Sequence, residues 1–212
     1  MIVTYPSGRA NDVINTLIGF SYSQEDFVVK LDSNACAYVK FLDETFSEYH
    51  SYTEFAEFIC QSVLQELGLS IHVSVGAPVR NITDISVSFS QASITEKIVL
   101  EEGAKGSVHT FKEYVLFKIL EDVPKYKLND YVNLLVDKDA REIFEDKEMT
   151  ETAEEFLSNN LNTSETSRKL FLHRNTLTYR LDKIEKATGL NIRKFSDAVT
   201  FRLLTILFKL VK

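Results

Sequence analysis

Apolar residues in the first hundred positions follow two different spacings. Short β-type runs occupy residues 2–5, 26–31, 37–42 and 70–76. Between these runs, apolar side chains recur at helical spacing in two segments, Val13, Ile14, Leu17 and Ile18 in the first and Phe55, Phe58, Ile59, Val63, Leu64 and Leu67 in the second. A third helix is predicted over residues 83–102. The order β-α-β-β-α-β-α opens with the ferredoxin-like arrangement and predicts an α+β domain.

Helical spacing dominates the rest of the chain. The glycines of residues 103–106 predict a loop, and a helix is expected over residues 109–120. We therefore predict an α+β domain at residues 1–102, a helical connector at 103–147 and an all-α domain at 148–212.

The segment that begins at Asn162 predicts two short helices joined by a tight turn. Asn162 is a favourable N-cap, and Glu165 lies three residues later, as in a capping box. The first helix is expected over residues 163–170 and the second over 174–186, with Gly189 as a stop signal just beyond its end. This layout is typical of a helix-turn-helix DNA reader.

A helical wheel divides the second of these helices into a core side and an outer side. Leu177, Leu181 and Ile184 fall on one side and are predicted to be buried. Arg and Asn side chains can pair with guanine and adenine edges, and Thr, Tyr and Lys can bind phosphates. The predicted DNA contacts are therefore His173, Arg174, Asn175, Thr176, Thr178, Tyr179, Arg180 and Lys183.

The first residues of this helix are the strongest candidates for reading bases. The N-terminal end of a recognition helix usually points at the bases. The favoured base readers are Arg174, Asn175, Thr176 and Tyr179. Asp182 does not fit, because phosphate repels a carboxylate, and we expect it where the helix tilts away from the duplex. His173 opens the helix either as its N-cap or as a DNA contact. In the alternative interpretation, the charged face is simply the solvated side of a helical bundle.

Charge is distributed unevenly along the chain. Residues 162–212 contain 11 Lys and Arg and 4 Asp and Glu. The preceding residues contain 13 Lys and Arg and 27 Asp and Glu. The net charge of the whole chain is −7. An acidic body with a basic C-terminal quarter indicates one confined DNA-binding face, since a globally acidic protein is a poor general binder of polyanions.

The composition disfavours several classes of protein. No apolar run reaches the roughly 18 residues of a membrane span, and the N-terminus has no basic region followed by an apolar stretch. Cys36 and Cys60 lie in apolar segments without paired Cys or His spacing, so we expect structural free thiols rather than a zinc site. The sequence has no glycine-rich phosphate loop and no nucleophile motif. We expect a cytoplasmic protein without a metal or cofactor.

Residues 170–181, Leu-Phe-Leu-His-Arg-Asn-Thr-Leu-Thr-Tyr-Arg-Leu, closely resemble the C-terminal helix-turn-helix of the PucR/CdaR family of bacterial transcription regulators. The likeness continues into the terminal apolar helix at 197–211 and covers roughly residues 110–212. The segment is more distantly similar to the Fis-type helix-turn-helix. Thr166 and Ser167 depart from that type, in which small apolar residues are usual. The resemblance implies sequence-specific binding at promoters.

The N-terminal element order, followed by this C-terminus, resembles the degenerate GGDEF-like domain that precedes the helix-turn-helix in the same family. Residues 73–76 and 88–92 look like the family's strand-loop-helix. True GGDEF domains make cyclic dinucleotides with a Gly-Gly-acid-acid-Phe turn and carboxylates that hold a metal. The equivalent turn here, Asp32-Ser33-Asn34, has no glycine, and Asp32 is expected only to form the turn. We therefore predict that the chain is not an enzyme.

Two hypotheses for function follow. In the first, the chain is a transcription regulator that binds double-stranded DNA, acts as a homodimer and leaves room for a small-molecule effector. In the second, it is a non-catalytic interaction module whose helix-turn-helix-like fold binds a protein. Residues 109–136 and 199–211 contain enough apolar side chains for a dimer surface, although either segment could equally belong to the core.

Overall fold

The computed structural model describes residues 1–21, 23–42, 49, 51–104 and 106–211. The chain separates into two compact units, Met1–Leu116 and Phe117–Lys212. Each unit has its own buried apolar core.

A five-stranded sheet forms the centre of the first unit. Its strands are β1 (Ile2–Thr4), β2 (Phe27–Lys30), β3 (Ala35–Val39), β4 (His72–Val75) and β5 (Val108–Thr110). They lie in the order β2-β3-β1-β4-β5. β3 is antiparallel to β1 and β2, β4 is antiparallel to β1, and β5 runs parallel to β4. The N-terminal strand therefore lies in the middle of the sheet.

Three helices cover the two faces of this sheet. α1 (Ala10–Gly19) and α2 (Tyr52–Leu67) pack against the face that carries Val3. α3 (Ile85–Glu102) packs against the opposite face, where its Ala92 clusters with Ile2. The two clusters are separate because successive residues of a strand point to opposite faces.

The α+β class and the βαββαβ order predicted from the sequence are confirmed. The hairpin turn lies where it was expected, because Asp32 Oδ1 accepts a hydrogen bond from Asn34 N at 2.8 Å. This bond confirms Asp32 as a turn former. The returning strand spans Ala35–Val39 rather than residues 37–42, since the tight turn lets pairing begin earlier. The GGDEF-like assignment of this unit stays a prediction.

β5 replaces the first turn of the helix that the sequence predicts over residues 109–120, so that prediction is wrong at its N-terminal end. Val108 pairs with Val73 and Thr110 with Val75, and α4 (Phe111–Glu121) begins at the next residue. Three residues are too few for side-chain periodicity to distinguish a strand from the start of a helix. The hydrogen-bonding partner supplied by β4 decides the outcome.

The second unit is helical throughout its described residues. After α4, which contains the division between the units, come α5 (Lys125–Leu135), α6 (Lys138–Glu145), α7 (Lys147–Ser158), α8 (Thr163–Lys169), α9 (Arg174–Thr188) and α10 (Phe195–Val211). Among the helices described here, none combines the length and apolar character that crossing a membrane requires.

A single apolar core joins these helices. Leu128 and Val132 of α5 and Phe144 of α6 belong to the same cluster as Leu177 of α9 and Phe201 of α10. The helices of the predicted connector therefore contribute to the core that holds the C-terminal helices. The three-part division of the chain at 102 and 147 stays a prediction, and the contacts group residues 117–147 with the C-terminal unit.

Candidate nucleic-acid interface

Backbone capping defines both ends of α8. Asn162 Oδ1 accepts hydrogen bonds from Ser164 N at 3.0 Å and Glu165 N at 3.1 Å, which confirms the predicted N-cap. At the other end, Leu172 N donates to Ser167 O at 2.9 Å. Phe171, which directly precedes Leu172, takes a left-handed conformation with φ +54°. This pattern is a Schellman motif, which ends the helix and turns the chain sharply.

α9 begins two residues after that turn. His173 is its N-cap, and its Nδ1 accepts a hydrogen bond from Asn175 N at 3.2 Å. The capping role considered for His173 is therefore confirmed. The helix continues two residues beyond its predicted end at Lys186 and stops at Gly189, which has φ +70°. Glycine adopts this left-handed conformation without steric cost.

The core side of α9 is as predicted. Leu177, Leu181 and Ile184 each have 0% of their surface exposed and belong to the core of the second unit. These positions hold α9 against α6, α7 and α8. The opposite side of the helix is left for solvent or for a ligand.

Thr166 and Ser167 pack inside the helix pair despite their hydroxyl groups. Thr166 is 0% exposed and Ser167 is 8% exposed. Thr166 Oγ1 donates to Asn162 O at 2.8 Å, and Ser167 Oγ donates to Thr163 O at 2.7 Å. Since the hydroxyls bond to carbonyls of their own helix, burying them leaves no donor unsatisfied.

Seven of the eight predicted DNA contacts lie at the exposed side or the N-terminal end of α9. They are His173, Arg174, Asn175, Thr176, Thr178, Tyr179 and Lys183. The Tyr179 ring is 67% exposed although it is large and partly apolar. These seven residues therefore present two cations, an amide, an imidazole and three hydroxyl groups to solvent.

Arg180 does not share that surface. Its side chain is 14% exposed and forms an ion pair with Glu148 of α7. Its guanidinium also donates to Thr152 Oγ1 at 3.0 Å. Arg180 was predicted to contact DNA. In the structure its side chain instead bonds to α7 and holds α9 against that helix.

The unfavourable carboxylate at Asp182 is neutralised within the protein. Arg193 Nη2 lies 2.8 Å from Asp182 Oδ1, and Arg193 Nη1 lies 3.6 Å from Glu185 Oε2. Arg193 also donates to the carbonyl oxygen of Thr178 at 3.3 Å. One arginine from the loop before α10 thus screens both acidic groups of α9.

The helical geometry agrees with a known family. The PucR C-terminal helix-turn-helix domain family matches residues 149–206, which run from α7 into α10. The chain carries a PucR C-terminal helix-turn-helix domain.

Several curated proteins are similar to this chain over longer stretches. The chain is 35% identical over 91 residues to the Bacillus subtilis protein YxkF. This alignment covers 42% of this chain and 29% of YxkF. It is 22% identical over 161 residues to the Bacillus subtilis purine catabolism regulatory protein. This alignment covers 76% of this chain and 30% of that protein. It is 23% identical over 175 residues to the proline-responsive transcriptional activator PutR of Bacillus subtilis. This alignment covers 79% of this chain and 42% of that protein. The chain spans less than half the length of these relatives.

Ion pairs within the PucR domain leave some cations engaged and others available. The acidic helix α7 binds several of them, since Glu155 lies 3.7 Å from Lys169 Nζ and Glu154 lies 3.0 Å from Lys209 Nζ. Within the described residues, no ion pair involves Arg174, Lys186 or Lys194. These three cations can bind phosphate or base edges without first breaking an internal bond.

The residues that sequence reasoning missed act through long-range pairs. Glu148 lies 32 positions before its partner Arg180, and Arg193 lies 11 positions after Asp182. Neither spacing corresponds to a helical turn, so no local pattern indicates the pairs. A signal was present only in the excess of acidic residues on α7.

Proposed function

We propose that the chain is a transcription regulator that binds DNA sequence-specifically through α9. The observation that supports this most is the division of the helix. Its buried side is entirely apolar, while its N-terminal end exposes Arg174 and Asn175. These are the side-chain types that make bidentate contacts with guanine and adenine in the major groove.

The remaining exposed groups divide between the bases and the DNA backbone in this proposal. Thr178 and Lys183 donate hydrogen bonds to phosphate oxygens, while Thr176 and Tyr179 remain with Arg174 and Asn175 as the favoured base readers. His173 uses Nδ1 for the N-cap, so its Nε2–H is left to donate to the duplex. Arg180 acts as a positioning residue, because its bonds to Glu148 and Thr152 set the orientation of α9.

The acidic part of the chain before residue 162 would stay off the phosphates, and the basic residues 162–212 would face them. Residues 162–212 have a formal net charge of +7 within a chain of −7. A confined basic surface limits binding to one face of the protein. A protein that binds chromosomal DNA in this way would act in the cytoplasm of a bacterium and would not need a catalytic site.

We further propose that two copies bind together as a homodimer. One helix-turn-helix offers three or four base-reading side chains, whereas a bacterial genome contains on the order of a million competing sites. A two-fold pair of domains, on half-sites about one helical turn apart, doubles the sequence that is read. Light scattering tests this, with a dimer expected on the preferred duplex and a one-to-one complex counting against it.

Selection of duplexes from a randomised library tests DNA binding by the full chain. We expect one sequence to be enriched, with an affinity that falls as salt rises because counterions are released. Arg174→Ala should weaken binding to the selected duplex. Lys127→Ala, which removes an exposed cation of α5, should leave it unchanged. If no sequence is enriched, the domain is better described as a protein-interaction module.

A further inference from the structure

Phe171 is a large apolar side chain that the fold leaves in solvent. Its exposed fraction is 96%, the highest among the exposed large hydrophobic residues of the described chain. Single exposed apolar residues are common on proteins. Phe171, however, also has φ +54°, in a region that bulky L-residues rarely adopt. Burial gives no reason for a phenylalanine here, and the backbone conformation favours glycine.

The turn does not need the Phe171 side chain. It is held by backbone hydrogen bonds, from Phe171 N to Arg168 O at 3.2 Å and from Leu172 N to Ser167 O at 2.9 Å. A glycine at this position would keep both bonds and relieve the strain. The fold itself therefore gives no reason for an aromatic ring at this position.

The surroundings of Phe171 indicate what it contacts. On α8 just before it, the side chains of Arg168 and Lys169 are 76% and 52% exposed, although Arg168 also pairs with Glu165 and Lys169 with Glu155. Arg174 follows three residues later, and Cα atoms three residues apart lie within about 11 Å of each other. An apolar ring surrounded by exposed cations is complementary to a surface that presents negative charges around an apolar group.

We infer that Phe171 contacts the methyl group of a thymine in the major groove. This inference rests on the proposed DNA-binding function. The thymine C5-methyl is the apolar group of the major groove, and phenylalanine is among the side chains that contact it, while phosphates on either side attract Arg168 and Lys169.

Replacing thymine by deoxyuridine tests the contact, since only the methyl group is lost. The probe is the duplex selected from a randomised library, in which each thymine is replaced in turn. For the unaltered chain, we expect one replacement to weaken binding about fourfold, the effect of one methyl group. Phe171→Ala and Phe171→Gly should bind the selected duplex about fourfold more weakly. Both should also be insensitive to that one replacement.

Two controls keep the result interpretable. Ile82→Ala removes another exposed apolar side chain, in the first unit, and should retain the complete deoxyuridine profile. Phe171→Gly should raise the thermal midpoint of the second unit, because glycine accepts the left-handed conformation. Weaker binding by a more stable variant cannot be explained by unfolding.

Other outcomes overturn the inference. If Phe171→Ala binds every duplex as the unaltered chain does, Phe171 does not contact DNA. If it loses affinity but keeps the same sensitivity to deoxyuridine, the contact is not with a thymine methyl. Absence of binding by the unaltered chain would instead overturn the proposed function itself.

Discussion

A buried ion pair of the sheet unit and the first residues of α9 in the helical unit show opposite arrangements of polar groups. In the sheet unit, Asp26 and Lys40 form an ion pair at 2.5 Å with side chains 0% and 3% exposed. In the helical unit, the first residues of α9 are exposed, and Arg174 has no ion pair among the described residues. Buried polar groups that already have partners stabilise one structure, whereas exposed groups without partners can bind a ligand.

The two cysteines of the sheet unit are also buried groups that stabilise the structure and do not bind a ligand. Burial raises the pKa of the Cys36 thiol to about 12 and that of the Cys60 thiol to about 11. A thiol is nucleophilic as the thiolate, so these two side chains are inert structural groups. The contrast with α9 suggests that the interaction chemistry of the chain is concentrated in its second unit.

The largest effect should come from placing a charge on the buried side of α9. Leu177→Asp buries an unpaired carboxylate at a position that is 0% exposed and should unfold the second unit, at a cost of several kcal/mol. Thr178→Asp adds the same charge at the neighbouring exposed position and should keep the fold while weakening DNA binding. Circular dichroism separates the two, and a fully folded Leu177→Asp variant would contradict the core assignment.

Breaking the buried ion pair should destabilise the sheet unit without affecting DNA binding. Lys40→Met leaves Asp26 buried without its cation and should cost about 3–5 kcal/mol of unfolding free energy in urea titration. Arg9→Met removes the surface pair with Asp12, in which the two side chains are 40% and 51% exposed, and should cost about 0.5 kcal/mol. Equal losses for the two variants would contradict the distinction between the units.

Removing Arg180 should show whether that residue positions α9 or contacts DNA. Arg180→Ala deletes bonds to Glu148 and Thr152 and should destabilise the second unit by about 1.5–3 kcal/mol. The salt dependence of DNA binding should stay the same, because no phosphate contact is lost. A smaller salt slope with unchanged stability would make Arg180 a phosphate contact.

Alkaline pH should destabilise the sheet unit through its two buried cysteines. Their folded pKa values, about 12 and about 11, lie above the value of about 8.5 for an unfolded thiol. Their contribution to stability is therefore present below about pH 8.5 and is lost as the pH rises toward the folded values. Unfolding free energies measured upward from about pH 8 should decrease more steeply for the unaltered chain than for a Cys36→Ala, Cys60→Ala double variant. Parallel curves would contradict this.

Local signals in the sequence predicted more of α8 and α9 than of their surroundings. The Asn162 cap, the Gly189 stop and the apolar side at Leu177, Leu181 and Ile184 depend on residues close in sequence, and each is confirmed. β5 and the Arg180–Glu148 pair depend on partners brought together by the fold. Periodicity and spacing carry no information about such partners.

The exposure of Phe171 was also beyond the sequence pattern. The sequence places Phe171 in the turn between the two helices, but it does not show which way this side chain points. The left-handed φ directs this one side chain outward, whereas its two neighbours are half-buried. A candidate contact residue was therefore hidden inside an apolar run.

The most direct test of α9 as a base-reading helix is a matrix of variants against single-base changes in the selected duplex. Arg174→Ala and Asn175→Ala should each weaken binding by about 1–3 kcal/mol and relax the preference at particular base pairs. Lys186→Ala, which removes an exposed cation near the other end of α9, should weaken binding uniformly or leave it unchanged. If Arg174→Ala and Asn175→Ala lose the same affinity for every sequence, both residues contact phosphate, and the claim that α9 reads bases is wrong.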